Sequence, residues 1–214
     1  MKILYTANIG GYDSLKPIND LGPDWRAIYI TDGEAPQGWE RLGVEPSNIP
    51  DVAVAKYHKI FPPDAELTVW MDANLTPRVP LDSLIEEYPG EFVTLTHPCQ
   101  HSFYQEIEVC KKHPRGYLKD KQELLEAIRL TAKERGIPDK DGNVVENRVV
   151  IRRPSAKLEE LQDLWWSEME KPFGCLEPIW RDQIALRVAA YQLGYKVSTG
   201  LDYTRWFRRG KHLK

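Results

Sequence analysis

The chain has 214 residues, with 29 Lys and Arg against 32 Asp and Glu, a formal net charge of −3, and 42% hydrophobic residues. This length suits one domain with a substantial core. The near-balanced charge gives no global drive toward nucleic acid or anionic membranes, and no apolar run approaches the ~20 residues of a membrane-spanning helix.

The opening Met-Lys-Ile-Leu-Tyr-Thr enters a strand-like pattern at once, which predicts no signal peptide. Cys99, Cys110 and Cys175 form neither a Cys-x-x-Cys pair nor an even framework, so reduced thiols in a cytoplasm are expected. Lys2 to Asn8 reads as the first strand and runs into Ile9-Gly10-Gly11-Tyr12-Asp13, where paired glycines allow close backbone approach to a ligand. Neither G-x-G-x-x-G nor a P-loop is present. Trp25 to Thr31 is a second strand and finishes in Asp32-Gly33. Residues 33–51, punctuated by Gly and Pro, read as a loop. Val52 to Phe61 follows, with Lys56 and Lys59 on one face if it is a helix.

Leu67 to Met71 is a short apolar run that reads as a buried strand, ending in Asp72-Ala73-Asn74, with Pro77 blocking continuation. A carboxylate and an amide oxygen past the carboxyl end of a central strand point into the crevice where open α/β sheets bind ligands. Hard oxygen donors there suit Mg²⁺ or Mn²⁺ shared with a diphosphate. The competing reading is an Asx-type turn that merely closes the strand.

Pro80 to Tyr88 looks helical and Glu91 to Thr96 extended, leading into His97-Pro98-Cys99-Gln100-His101. That cluster lacks finger spacing, so it reads as pocket-lining loop rather than structural zinc. Helices are expected over Ser102 to Lys112, Tyr117 to Gly136, Lys157 to Met169 and Arg181 to Leu193. Strands are expected over Val144 to Ile151 and Tyr195 to Thr199. Alternating strands and helices predict an α/β fold, a mainly parallel central sheet flanked by helices. The basic tail 202–214 carries Trp206 and Phe207 among its cations, which argues for packing back onto the body rather than free disorder.

The order of these motifs resembles a glycosyltransferase-like family long known only as a domain of unknown function, found in plant cell-wall and mucilage proteins with bacterial and viral relatives. Leu4 to Asp13 is similar to its opening Y-T-A-x-x-G-x-Y-D, and Ile30-Thr31-Asp32 to its second strand end. Lys56 to Pro62 resembles its R/K-x-x-K-x-x-P segment and Val69 to Asn74 its W-x-D core. His97-Pro98, Tyr104 to Glu106, and Arg181-Asp182-Gln183 follow in the same order.

The resemblance implies a single GT-A (Rossmann-like) domain over 1–214, with the tail 202–214 packing over the active site. It also implies a nucleotide-sugar donor, UDP-sugar first, and a divalent metal, Mn²⁺ or Mg²⁺. Asp72, Asn74 and His212 are then the metal candidates, although Asp-x-Asn stands where such enzymes more often have Asp-x-Asp. Thr6, Ala7, Asn8, Gly11, Tyr12 and Asp32 are placed at the base and ribose, and Lys56, Lys59 and one or more tail residues at the diphosphate.

Sugar transfer builds charge on the departing diphosphate, which a metal and basic groups must take up. An inverting reaction also needs a base, for which Asp182 is the first candidate and Glu146 and Glu106 its rivals. Trp70, Trp180 and Trp206 are candidates for stacking on sugars, and equally for core. The acceptor stays open among glycan, protein, small molecule and hydroxylated DNA base. A metal-dependent nucleotidyltransferase and a non-catalytic nucleotide-sugar or glycan binder remain the alternatives.

Overall fold

The computed structural model describes residues 1–19, 21–45, 48–78, 80–97, 102–113, 118–139, 145–175 and 177–210. In chain order the elements are β1 (Lys2–Asn8), β2 (Trp25–Thr31), β3 (Glu40–Gly43), α1 (Asp51–Ile60), β4 (Leu67–Met71), β5 (Leu75–Pro77), α2 (Leu81–Glu87) and β6 (Phe92–Thr96). There follow α3 (Phe103–Lys112), α4 (Gln122–Glu134), β7 (Val145–Arg152), α5 (Ala156–Glu170), α6 (Asp182–Gln192), α7 (Tyr203–Trp206) and β8 (Phe207–Arg209). The chain divides into two compact units, one of Met1–Leu95, Arg148–Ser155 and Gly200–Lys214, the other of Thr96–Asn147 and Ala156–Thr199. Among the described residues no helix is long and apolar enough to cross a membrane.

The fold is mixed α/β with a six-stranded sheet in the order β3-β2-β1-β4-β7-β6. The pairs β1–β2, β1–β4 and β2–β3 are parallel, and β4–β7 is antiparallel. From β1 the chain steps outward through β2 and β3, then returns to β4 on the opposite side of β1. This reversal makes the carboxyl ends of β1 and β4 a topological switch point, where open sheets leave a crevice.

In the central strands β1 and β4 both faces are buried, which is why they read as continuous apolar runs. Leu4, Val69, Met71, Val149 and Ile151 join one cluster with Leu81 and Leu84 of α2. The residues alternating with them, Tyr5, Trp70 and Arg152, face the other way. Lys59, near the end of α1, bonds Tyr5 and Arg152 on this second face.

Three expectations are corrected. First, the 33–51 stretch contains β3, whose exposed residues carry no apolar period. It is pinned on the edge by buried Trp39, which donates to the Lys16 carbonyl at 3.0 Å. Gly38 assists at φ +86, because a Cβ there would collide with the Ile18 carbonyl. Second, Pro77 does not stop extension: it ends β5, a ribbon strand paired antiparallel with β8, where a missing N–H is tolerated. Third, Tyr195 to Thr199 forms no extended strand, only a single bridge at Ser198; Tyr195 and Val197 are buried, and the Tyr195 N–H donates to the Ala190 carbonyl at 2.8 Å.

The tail turns back as its aromatics require. Trp206 and Phe207 join the core of the first unit, and the Arg78 N–H donates to the Trp206 carbonyl at 2.8 Å. The second unit packs α3, α4 and α6 around Ile107, Leu125, Ile128, Ile184 and Val188. Ser102 caps α3 by accepting from the Gln105 N–H.

Phe207 is 1% exposed. Phe207→Ala is expected to lower stability by about 3–5 kcal/mol, read as an earlier urea midpoint. An unchanged midpoint would mean that the tail is not part of the core.

Candidate functional site

Asp72 leaves β4 on the α1 side of the sheet. Its Oδ1 accepts from Lys59 Nζ at 3.1 Å and from the Trp70 indole N–H at 3.1 Å. Lys59 Nζ also lies 5.0 Å from the Trp70 ring centroid, a cation–π contact. The Lys59 side chain is 6% exposed and that of Asp72 33%. Oδ2 meets no donor among the described residues, so the carboxylate presents one committed and one open oxygen. The turn after β4 is closed by main chain: Leu75 N–H donates to the Asp72 carbonyl at 2.9 Å. The side chain is therefore not spent on an Asx turn.

Beneath this pair lies a buried network. Arg152 donates to the Tyr5 hydroxyl and to the Lys59 carbonyl, both at 2.7 Å, and Tyr5 itself donates to that carbonyl at 3.2 Å. The Arg152 guanidinium also sits 5.4 Å from the Phe92 ring. Burial pushes the Tyr5 phenol above its ordinary pKa, partly offset by the charges of Arg152 and Lys59. The network holds the last turn of α1, and so sets where Lys59 ends. Tyr5 and Arg152 were not read as site-building residues from sequence. The available signal was an arginine closing an apolar strand at a position whose alternation places it inward.

At the end of β1, Gly10 and Gly11 both take positive φ, +70 and +62. A Cβ on Gly10 would run into the Asp51 carboxylate at the start of α1. The Gly10 N–H donates to Asp32 Oδ1 and Oδ2 at 3.2 and 3.1 Å, tying the ends of β1 and β2 together. Asn8 spends its amide on the fold, donating to the Asp13 carbonyl and the Tyr29 hydroxyl and accepting from the Asp13 N–H. Thr6, Ala7 and Asn8 are buried, whereas Gly11, Tyr12 and Asp32 are exposed and Lys56 is half-buried. Asn74 is 5% exposed, and its carbonyl accepts from the Gly210 N–H at 2.6 Å. Trp70 and Trp206 are core residues at 3% and 2% exposure; Trp180 stacks on Trp166 with centroids 5.7 Å apart. A hollow of about 490 Å³ opens beside Ile18, Trp25, Gln37 and Glu40, at the amino end of β2 and away from these groups.

The remaining candidates belong to the second unit. Glu106, 1% exposed, accepts from Arg181 Nε at 2.6 Å and from the Cys110 thiol at 3.6 Å. Burial pushes the Cys110 thiol up to about 12, with the Arg181 charge opposing and Glu106 adding to the rise. Asp182 opens α6 at 1% exposure; its Oδ2 accepts from the Asn147 amide at 3.3 Å, and its carbonyl from the Trp165 indole at 3.0 Å. Glu146 is half-buried in β7. His212 lies outside the described residues, as do Cys99 and His101 of the His97 cluster.

Among the described residues no three His, Cys, Asp or Glu side chains gather as a metal-ligating group. The open Oδ2 of Asp72 is nevertheless a hard donor of the kind Mg²⁺ takes when waters and phosphate oxygens complete its shell.

The chain is similar to the galactosyltransferase LgtC solved in complex with donor and acceptor sugar analogs, at 13% identity over 94% of this chain and 73% of that one, TM-score 0.45. An active-site mutant of LgtC aligns at 12% identity over 94% of this chain and 72% of that one, TM-score 0.45. Mouse xyloside xylosyltransferase 1 in its apo form aligns at 10% identity over 95% and 86%, TM-score 0.47. No family model matches the chain, and no curated protein does.

Cys175 is half-buried whereas Cys110 is buried, with its thiol held protonated. Iodoacetamide at mildly alkaline pH is expected to alkylate Cys175 and leave Cys110 unmodified until the chain is denatured, as read by peptide mass spectrometry. Native labelling of Cys110 would show that the Glu106–Arg181 cluster is open to solvent.

Proposed function

We propose that this chain is a glycosyltransferase that moves a sugar from a nucleotide-sugar donor to an acceptor hydroxyl at the carboxyl ends of β1, β2 and β4. One observation carries the reading: Asp72 stands at the switch point of the parallel strands with one oxygen pinned by Lys59 and Trp70 and the other open. The ordered motif resemblance from Leu4 to Gln183 supports it. Asp72 and Asn74 would hold a Mg²⁺ or Mn²⁺ ion, which supplies positive charge to the leaving diphosphate when bound.

The side chains of this protein prepare that step. Lys59 is too buried for broad contact with a diphosphate, so it acts through Asp72, keeping Oδ2 aimed outward. The Gly10–Gly11 turn lets a phosphate or ribose approach the main chain, since no Cβ intervenes. Exposed Asp32 and Tyr12 flank the same turn and are the candidates for ribose and base. Of the three carboxylates considered for proton transfer, Glu106 is engaged by Arg181 and Asp182 by Asn147. Glu146 is half-buried, and Asp182 stays the first candidate base with Glu146 and Glu106 as its rivals.

Release of nucleoside diphosphate from UDP-, GDP- and CDP-sugars, with and without Mn²⁺, tests the reading by chromatography. Asp72→Ala is expected to lower turnover about 100-fold or more. Lys59→Met should lower kcat with a smaller effect on KM, and Lys59→Arg should recover part of the loss. Undiminished turnover in Asp72→Ala would sink the proposal. Thermal stabilisation by a nucleotide-sugar with no turnover of any donor would replace it with a binding function.

A further inference from the structure

The exposed arginines of the β5/β8 ribbon stand apart from the rest of the chain. Arg78, Arg208 and Arg209 are exposed, and no carboxylate, carbonyl or ring meets their guanidiniums among the described residues. Every other described arginine has such a partner: Arg205, on the same tail, pairs with Glu87 at 2.7 Å, and Arg26 with Glu40 at 2.5 Å. Among the described residues, three guanidiniums without a counter-charge are thus gathered on one ribbon, although the chain as a whole carries −3.

The ribbon begins at the site. Gly210 N–H donates to the Asn74 carbonyl, Arg209 lies opposite Leu75 and Arg208 opposite Thr76. Adjacent strand residues project to opposite faces, so Arg208 and Arg209 fringe both sides. Arg78 marks the far end, tied by its own N–H to Trp206. From Asn74 to Arg78 the strand advances roughly 13 Å, farther than one diphosphate held at Asp72 reaches. The spacing suits a ligand that bears several anionic groups and extends away from the reaction centre.

We propose that Arg78, Arg208 and Arg209 bind the acceptor, and that this acceptor is an anionic oligosaccharide bearing carboxylate or phosphate groups. A guanidinium presents a planar fork that matches either group in a bidentate manner. Single-stranded nucleic acid fits less well, because it is held by aromatic faces as well as by cations. Trp206, which ends α7, and Phe207, which opens β8, are turned into the core at 2% and 1% exposure. The inference rests on the transferase reading for the term acceptor.

Oligogalacturonate, a glycerol-phosphate oligomer and oligo(dT) serve as probes, with affinity measured by calorimetry at low and high salt. The intact chain is expected to bind at least one anionic saccharide, more weakly as salt rises. The triple variant Arg78→Gln, Arg208→Gln, Arg209→Gln should lose about 10-fold or more in affinity, with melting temperature unchanged. Preference for the galacturonate or for the glycerol phosphate identifies which anionic group is read. Equal binding by the triple variant, absence of binding to both saccharides, or tighter binding of oligo(dT) overturns the proposal. None of these measurements requires turnover, so the transferase reading fails separately, in the Asp72→Ala comparison.

Discussion

A buried lysine determines how the end of β4 is built. Removing an ammonium from water costs several kcal/mol unless charge and hydrogen bonds replace the lost solvent. At Lys59 that replacement comes from Asp72 Oδ1 and the face of Trp70. The consequence runs outward: a carboxylate that must satisfy a fixed cation on one oxygen cannot rotate freely, so its other oxygen keeps a constant direction. The same need runs inward to Tyr5 and Arg152, which hold the Lys59 carbonyl and thereby the last turn of α1. Strand, helix and acidic residue are registered against one another by a single chain of polar contacts in an otherwise apolar layer.

The glycine turn after β1 depends on a related economy of space. Gly10 sits where a Cβ would meet Asp51, and its N–H is taken by Asp32, so the ends of β1, β2 and α1 close on one another through main chain. Asn8 locks the turn from below with three hydrogen bonds. The outcome is a rim in which main chain, an exposed carboxylate and an exposed tyrosine face outward while the strand side chains face inward. The β5/β8 ribbon, joined to Asn74 through Gly210, extends this rim with positive charge that is unpaired among the described residues.

Much of the first unit was legible before folding. The spans of β1, β2 and β4 follow from apolar runs bounded by Gly, Asp and Asn, because strands buried on both faces leave an uninterrupted hydrophobic signature. The helices follow from apolar spacing, and packing of the tail follows from Trp206 and Phe207. β3 was not legible, because Glu40-Arg41-Leu42-Gly43 is an exposed edge strand held by neighbours distant in sequence. β5 was hidden for the opposite reason: Pro77 argues locally against extension, and only its pairing with β8 makes the position acceptable.

The candidate site divides in the same way. The sequence by itself determined which chemistry was available: an Asp-x-Asn after a central strand, a paired-glycine turn, a lysine ahead of them and a basic tail. Composition and local pattern are enough for that, since they set which groups exist and which segment ends carry them. The tertiary structure alone decided their state. It buried Lys59 against Asp72 and Trp70, buried Thr6 and Asn8 in the fold, and brought Arg152 beneath α1. It also left three arginines of the ribbon without counter-charges among the described residues. These outcomes depend on partners up to 147 positions apart, as for Arg152 and Tyr5, and no local pattern encodes which distant group will supply or withhold a hydrogen bond.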